Sequence, residues 1–327
     1  MTRARRQLVD LGSTPYYHCM ARCVRRAFLC GEDHLTGKSF EHRKAWVVDR
    51  LKVLAGVFTI EVCAYAVMSN HYHVVLFVNE AAGKVLTTRG VLERWTQLFA
   101  GPLLVQRYLA GEKLSKAEYQ RVEQFADDYR NRLLDISWFM RCLNEHLARE
   151  ANLEDGCKGR FWEGRFKSQA LLDEAAVLTC MAYVDLNPVR AGQAKRPESS
   201  DFTSIQDRIR QWQQNSGKKQ CNHLKPLQWK GITADKSVPF SLLDYFYLVD
   251  WTGRSVRPDE KGVIPADLPP LLVRLGIDGH EWLKTMQPEG NRFQRAAGTI
   301  ASLRQYSKQI GQHWVKGLVI SKWIYSG

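Results

Sequence analysis

His71 and His73 flank Tyr72 in the stretch AYAVMSNHYHVVLFV, and their spacing carries the first chemical hint in the chain. The surrounding residues alternate and are rich in Val, Tyr and Phe, the pattern of a β-strand. Residues two apart in a strand point to the same face, so the two imidazoles project side by side while Tyr72 points the other way. Two neutral imidazoles at that spacing are suited to share a divalent cation. A pair of half-exposed histidines with ordinary hydrogen bonds satisfies the same pattern. A second group, in CMAYVDLNPVRAG, bears on the choice. Tyr183 and Asn187 are four apart, one above the other on a helix face. Alone, such a tyrosine is most simply a core or boundary residue. On a helix packed against the histidine-bearing sheet, its phenol and the Asn187 amide oxygen could reach the same ion.

Oxygen and imidazole donors suit a hard cation such as Mg²⁺ or Mn²⁺, which would polarise a phosphodiester and stabilise charge on the leaving 3′-oxygen. A phenol in water has a pKa of about 10, so nearby positive charge would have to favour phenolate. Attack by Tyr183 on phosphorus would then leave a covalent 5′-phosphotyrosine and a free 3′-hydroxyl. That bond keeps the energy of the phosphodiester, so the step could be reversed against another strand without ATP.

The elements that must position these groups are legible in outline. After a basic arm (Arg3, Arg5, Arg6), PYYHCMARCVRR alternates as a first strand from Tyr16 to Val24. Ser39 to Val57 has helical periodicity, with Ala45, Val48, Leu51 and Leu54 on one stripe. Thr59 to Met68 and His71 to Val78 read as strands joined at Ser69-Asn70, a turn-forming pair. Residues 80–151 read as a helical insertion, with helices over Leu92 to Leu109, Lys116 to Leu134 and Trp138 to Arg149. Phe166 to Leu172 is a further strand, and Asp173 to Leu186 a helix that Pro188 stops. The order β-α-β-β, insertion, β-α predicts an α+β fold: a ferredoxin-like or RRM-like antiparallel sheet with helices on one face. The composition shifts near AKRPESSDF, which divides a catalytic domain (1–195) from a C-terminal accessory domain (196–327). Within the latter, Ser204 to Gln213 is helical, LLDYFYLV (Leu242 to Val249) is a strand or a helix, and Trp212, Trp229, Trp251 and Trp314 read as a small second core.

The composition sets limits on the rest. Hydrophobic residues make up 45% of the 327, enough for a sizeable core and against wholesale disorder. No apolar run reaches the roughly 18 residues that a membrane helix needs, and MTRARRQLVD lacks an apolar signal core. A soluble cytoplasmic protein without a membrane partner is therefore expected. Lys and Arg outnumber Asp and Glu by 47 to 34, a net charge of +13 that favours polyanionic partners. The eight cysteines form no C-x-x-C pair, and Cys19, Cys23, Cys30 and His34 fit no common zinc module.

Basic and aromatic residues interleave at Lys158, Arg160, Phe161, Trp162, Arg165, Phe166 and Lys167. Single-stranded nucleic acid is commonly held by such cationic, stacking surfaces, although a loop anchored by its aromatics with solvated arginines would look the same. Arg22, Arg25 and Arg26 at the end of the first strand are either phosphate contacts or a solvated strand end. Arg190 either contacts phosphate or caps the helix that carries Tyr183.

The segments PYYHCMARCVRR, VMSNHYHVVLF, GRFWEGRFKSQALL and YVDLNPVRAG, taken in order, resemble the signature segments of the single-tyrosine HUH transposases. The ending LNPVRAG resembles in particular the REP-associated tyrosine transposases. The resemblance covers Pro15 to Gly192. It implies an HUH endonuclease core in which His71 and His73 are the metal-binding pair and Tyr183 is the nucleophile. Asn187 falls where many relatives carry a third polar ligand, usually Gln; Asn is one methylene shorter, which favours ligation through water. The implied partner is a single-stranded DNA hairpin of REP type, cleaved and rejoined with Mg²⁺ or Mn²⁺. The helical insertion is longer than in minimal relatives. Two other functions compete: a hairpin DNA- or RNA-binding regulator that has lost catalysis, and an HUH replication initiator, which the LNPVRAG segment fits poorly. A histidine-triad nucleotide hydrolase would want a histidine where Val75 stands. Nothing in the sequence selects a monomer over a homodimer.

Overall fold

The structure is a computed structural model that describes residues 9–24, 29–32, 37–229, 232, 236–256, 267–287, 294–312 and 316–325; Arg25, Arg26 and Trp314 fall outside them. β1 (Tyr16–Arg22), α1 (Arg43–Val57), β2 (Ile60–Val67) and β3 (His71–Val78) follow the β-α-β-β order that alternation and periodicity predict. The insertion holds α2 (Glu80–Val85), α3 (Thr88–Trp95), α4 (Leu103–Leu109), α5 (Lys116–Leu133) and α6 (Ile136–Glu154). The helix expected over Leu92 to Leu109 is in fact two, because Gly101 takes a left-handed φ of 71° and the extended Pro102 then caps α4. β4 (Lys167–Leu171) and α7 (Glu174–Asp185) come next, the side chain of Asp173 accepting from Ala176 N at 2.9 Å as N-cap.

The short α8 (Asn187–Arg190) and α9 (Ser204–Gln214) follow, then β5 (Leu227–Gln228), β6 (Val238–Ser241) and α10 (Leu242–Ser255). The ambiguous LLDYFYLV is thus helical: Leu242, Tyr245, Leu248, Val249 and Thr252 are buried at helical spacing. The chain closes with α11 (Pro270–Arg274), α12 (Gly279–Met286), β7 (Ala296–Ala297), α13 (Ile300–Gln309) and α14 (Leu318–Ile324). Among the described residues no helix is long and apolar enough to cross a membrane.

The five-stranded sheet has the order β2-β3-β1-β4-β7, antiparallel except where β7 joins β4, and β5 pairs with β6 separately. The expectation of helices on one face is corrected by the structure. Tyr17, Cys19, Tyr72, Val74 and Leu76 pack with residues of α1 and α6 in one buried cluster. Ala64, Val75 and Leu171 pack with α7, α10 and α12 in a second. Both faces are covered because β3 carries apolar side chains in both registers, as strands buried on two sides do. Trp251 and Trp282 of the C-terminal part belong to the same cluster as α7, and β7 extends the five-stranded sheet at β4.

Asp185, fully buried at the end of α7, ties that helix to the C-terminal part. Its carboxylate accepts from Ser204 Oγ and from Ile205 N (2.9 Å) on α9, and from Tyr245 Oη (2.6 Å) on α10. Burial pushes the carboxyl up to about 6, against the pull of Ser204 and Tyr245, so near neutral pH it is mostly the ionised acceptor that these donors need. Asp185→Asn keeps the shape but turns an N–H₂ toward buried donors. We expect it to lower unfolding free energy by about 3 kcal/mol, read from chemical denaturation with unchanged far-UV dichroism before the transition.

Candidate active site

The strand register places the sequence-selected residues on the face that α7 covers. In β1, Arg22 lies opposite His71 and Met20 opposite His73, while His18 lies opposite Val75. On its other side Met20 faces Lys167 and His18 faces Gln169 of β4. Directly opposed residues share a face. One row therefore reads His73, Met20, Lys167, and the row beside it ends in His71 and Arg22.

The imidazoles form a contact chain. His71 and His73 meet edge to face with ring centroids 4.9 Å apart, and His18 Nε2 lies 2.8 Å from His73 Nδ1. Asn70 Oδ1, 2.6 Å from His71 Nδ1, can only accept, so that nitrogen carries the hydrogen and His71 Nε2 keeps its lone pair. The His18–His73 bond runs in either direction according to tautomer; the tautomer in which His73 Nδ1–H donates to His18 Nε2 is the one that frees His73 Nε2 as a ligand atom.

Electrostatics keep these rings neutral. Burial pushes His18 down to about 4 against a hydrogen bond with Gln169. Burial, Arg22 and Arg190 push His71 down to about 4. His73, only 5% exposed, is held well below the usual histidine range by burial, then by His18, His71 and Arg190. Neutral, oriented imidazoles are what a divalent cation requires. His71 and His73 therefore fit a metal by donor type and protonation.

α7 lays Tyr183 over this face. Its half-buried ring meets His73 edge to face with centroids 6.1 Å apart. The helix does not run on through Asn187: α7 ends at Asp185, and α8 opens at Asn187 with Pro188, which has no N–H to offer, as its second residue. Arg190 fills the gap. Its buried guanidinium lies 3.7 Å from the centroid of the Tyr183 ring and donates to the Tyr183 carbonyl (3.3 Å) and to Asn187 Oδ1 (3.1 Å). Of its two expected roles, capping the helix is thus the one this geometry contains. The Asn187 amide oxygen is shared with that cation, and its Nδ2 makes no hydrogen bond among the described residues. Ligation by Asn187 would place a metal beside the guanidinium.

The interleaved basic run divides. Trp162 donates from Nε1 to Asn144 O (2.9 Å) and packs edge to face on Tyr72, which points to the opposite face of the sheet. It anchors its loop instead of offering a stacking platform beside Tyr183. Arg160 is exposed, but its guanidinium donates to the carbonyls of Trp162 (2.8 Å) and Glu163. Arg165 and Lys167 are exposed, and Lys167 joins Arg22 on the histidine face. The structure brings together His71, His73, Tyr183, Asn187 and Arg190, flanked by Arg22 and Lys167. It adds His18, which sequence reasoning left among structural or surface residues; its signal was alternation with Tyr16, Met20 and Arg22.

No family model matches the chain, and no curated protein matches it. A solved structure described as a REP-associated tyrosine transposase bound to a REP hairpin aligns over 74% of this chain and 99% of its own, with 14% identity and a TM-score of 0.37. An overlap that loose fixes neither fold nor activity.

Proposed function

We propose that the chain is a metal-dependent single-stranded DNA endonuclease and strand transferase that cleaves and rejoins DNA near hairpins. One observation carries this reading: Tyr183 on α7 lies over the neutral pair His71 and His73 on β3, with its ring 6.1 Å from that of His73. A Mg²⁺ or Mn²⁺ ion held by the two Nε2 atoms would supply Lewis acidity to the scissile phosphate. Tyr183 Oη attacks phosphorus, the P–O3′ bond breaks, and the phenolic proton leaves through solvent as the 3′-oxygen takes one up. The downstream strand stays on Tyr183 through its 5′-phosphate, and the upstream strand leaves with a 3′-hydroxyl. An incoming 3′-hydroxyl reverses the step.

Arg190 places its cation against the Tyr183 ring and keeps the end of α7 in register. Arg22 and Lys167 supply exposed positive charge at the rim of the same face, where a DNA backbone would approach.

The test uses the full-length protein, Mg²⁺ or Mn²⁺, and end-labelled single-stranded hairpins drawn from around its own gene. A denaturant-resistant adduct carrying the downstream strand, mapped to Tyr183, is the expected result. Hairpin binding without any adduct in either metal would favour the catalytically silent regulator instead.

A further inference from the structure

A second group of metal-ligating side chains lies at the end strand β2. Asp207 on α9 and His223, in the segment between α9 and β5, approach to 2.9 Å between Oδ2 and Nε2. Cys221 Sγ lies 3.3 Å and 3.5 Å from the two ring nitrogens of His223. One ligand atom from each residue falls within 4.8 Å of the others. A tetrahedral ion with bonds of about 2.0–2.1 Å to nitrogen and oxygen and about 2.3 Å to sulfur sets its ligand atoms roughly 3.3–3.6 Å apart. The three side chains are therefore close to the spacing of a shared ion before any ion is added.

Against burial, hydrogen bonds with Asp207 and Cys221 push His223 up to about 9, so a bound ion would take the place of its proton. Tyr65 Oη donates to Asp207 Oδ2 at 2.5 Å and orients the carboxylate from the second layer of contacts. Cys221 is buried, whereas the Asp207 and His223 side chains are 24% and 23% exposed, so water reaches the cluster from one side. The thiolate selects against Mg²⁺ and for a borderline-soft ion.

We propose that Asp207, Cys221 and His223 bind one Zn²⁺, with water in the fourth position, fastening α9 and the 221–225 segment against β2. The neighbouring contacts run between the same elements: Lys225 N donates to Val62 O (2.7 Å), and Arg208 bridges the carbonyls of Cys63 (2.8 Å) and Lys225 (2.9 Å). The ion would add a cross-link where the sheet ends. This site is independent of the proposed chemistry at Tyr183.

Cobalt titration of the full-length, chelator-stripped protein tests it. A Co²⁺–thiolate site gives a near-ultraviolet sulfur-to-cobalt charge-transfer band, which an imidazole–oxygen site at His71 and His73 cannot give. We expect the charge-transfer band to saturate at one ion per chain and to disappear on adding Zn²⁺. It should persist in the His71→Ala/His73→Ala protein and weaken at least tenfold in both Cys221→Ser and His223→Asn. Absence of the band from the wild-type protein overturns the proposal, whatever the variants do. So does a band of full strength in folded Cys221→Ser.

Discussion

Tyr183→Phe is expected to abolish the covalent protein–DNA adduct while leaving hairpin affinity within about twofold. The substitution removes one oxygen and keeps the ring. The edge-to-face contact with His73 and the stacking of Arg190 both involve the ring, so both survive. Tyr183 is half-buried, among the described residues its side chain bonds only toward the neighbouring Arg190, and the contacts that tie α7 to other elements include those of Asp185, Asp173 and Thr179. The stability cost should therefore stay below about 1 kcal/mol. Removal of a nucleophile costs about 10⁴-fold or more in rate, so the adduct should fall below detection on a denaturing gel while mobility shifts still report binding. An adduct of undiminished yield would show that another group attacks.

The fold was legible wherever the signal was local. β3 begins and ends where alternation places it, and Asp173 marks the start of α7 as an N-cap should. The distribution of helices over the two sheet faces was harder, because it is a property of packing partners. The strand HYHVVLFV did hold the clue, since Val74, Val75, Leu76 and Phe77 form a continuous apolar run of the kind buried on both sides. LLDYFYLV stayed ambiguous because a short apolar run fits either period, and its burial against α7 and α12 is what settles it.

The site was legible in the same uneven way. His71 with His73 is a pairing within one strand, so spacing alone suggests it; spacing also paired Tyr183 with Asn187, but the stack of Arg190 on the Tyr183 ring appears only once α7 ends at Asp185. Alternation puts His18 on one face of β1 with Met20 and Arg22, but its place diagonally beside His73 comes from the register of β1 on β3, which no local pattern encodes. Arg160 and Trp162 show the converse. Their composition suggests a nucleic-acid surface, yet Trp162 reaches Asn144 on α6, 18 residues away in sequence, and Arg160 closes its own loop. Whether a loop aromatic turns in or out is decided by partners that composition does not name.

The double substitution His71→Ala/His73→Ala is expected to lower metal-dependent cleavage by about 10³-fold or more while hairpin binding persists. Lewis-acid stabilisation of a phosphoryl transition state amounts to several kcal/mol, and each 1.36 kcal/mol or so is a factor of ten. The single variants separate two causes of loss. His71 is half-buried and its side chain hydrogen-bonds its neighbour Asn70, so His71→Ala should leave the sheet intact and act through the ion alone. Its cleavage should then recover in part as Mn²⁺ is raised, because a weakened site fills by mass action. His73 is buried against His18, and alanine there also leaves a void beside a buried polar ring. His73→Ala should therefore lose stability as well as activity, by about 2 kcal/mol, and excess Mn²⁺ should not restore it fully. If the double variant cleaves labelled hairpins at the wild-type rate, the histidine pair is not the metal site. The Tyr183 chemistry would then have to draw its positive charge from Arg190, the cation already stacked on the ring.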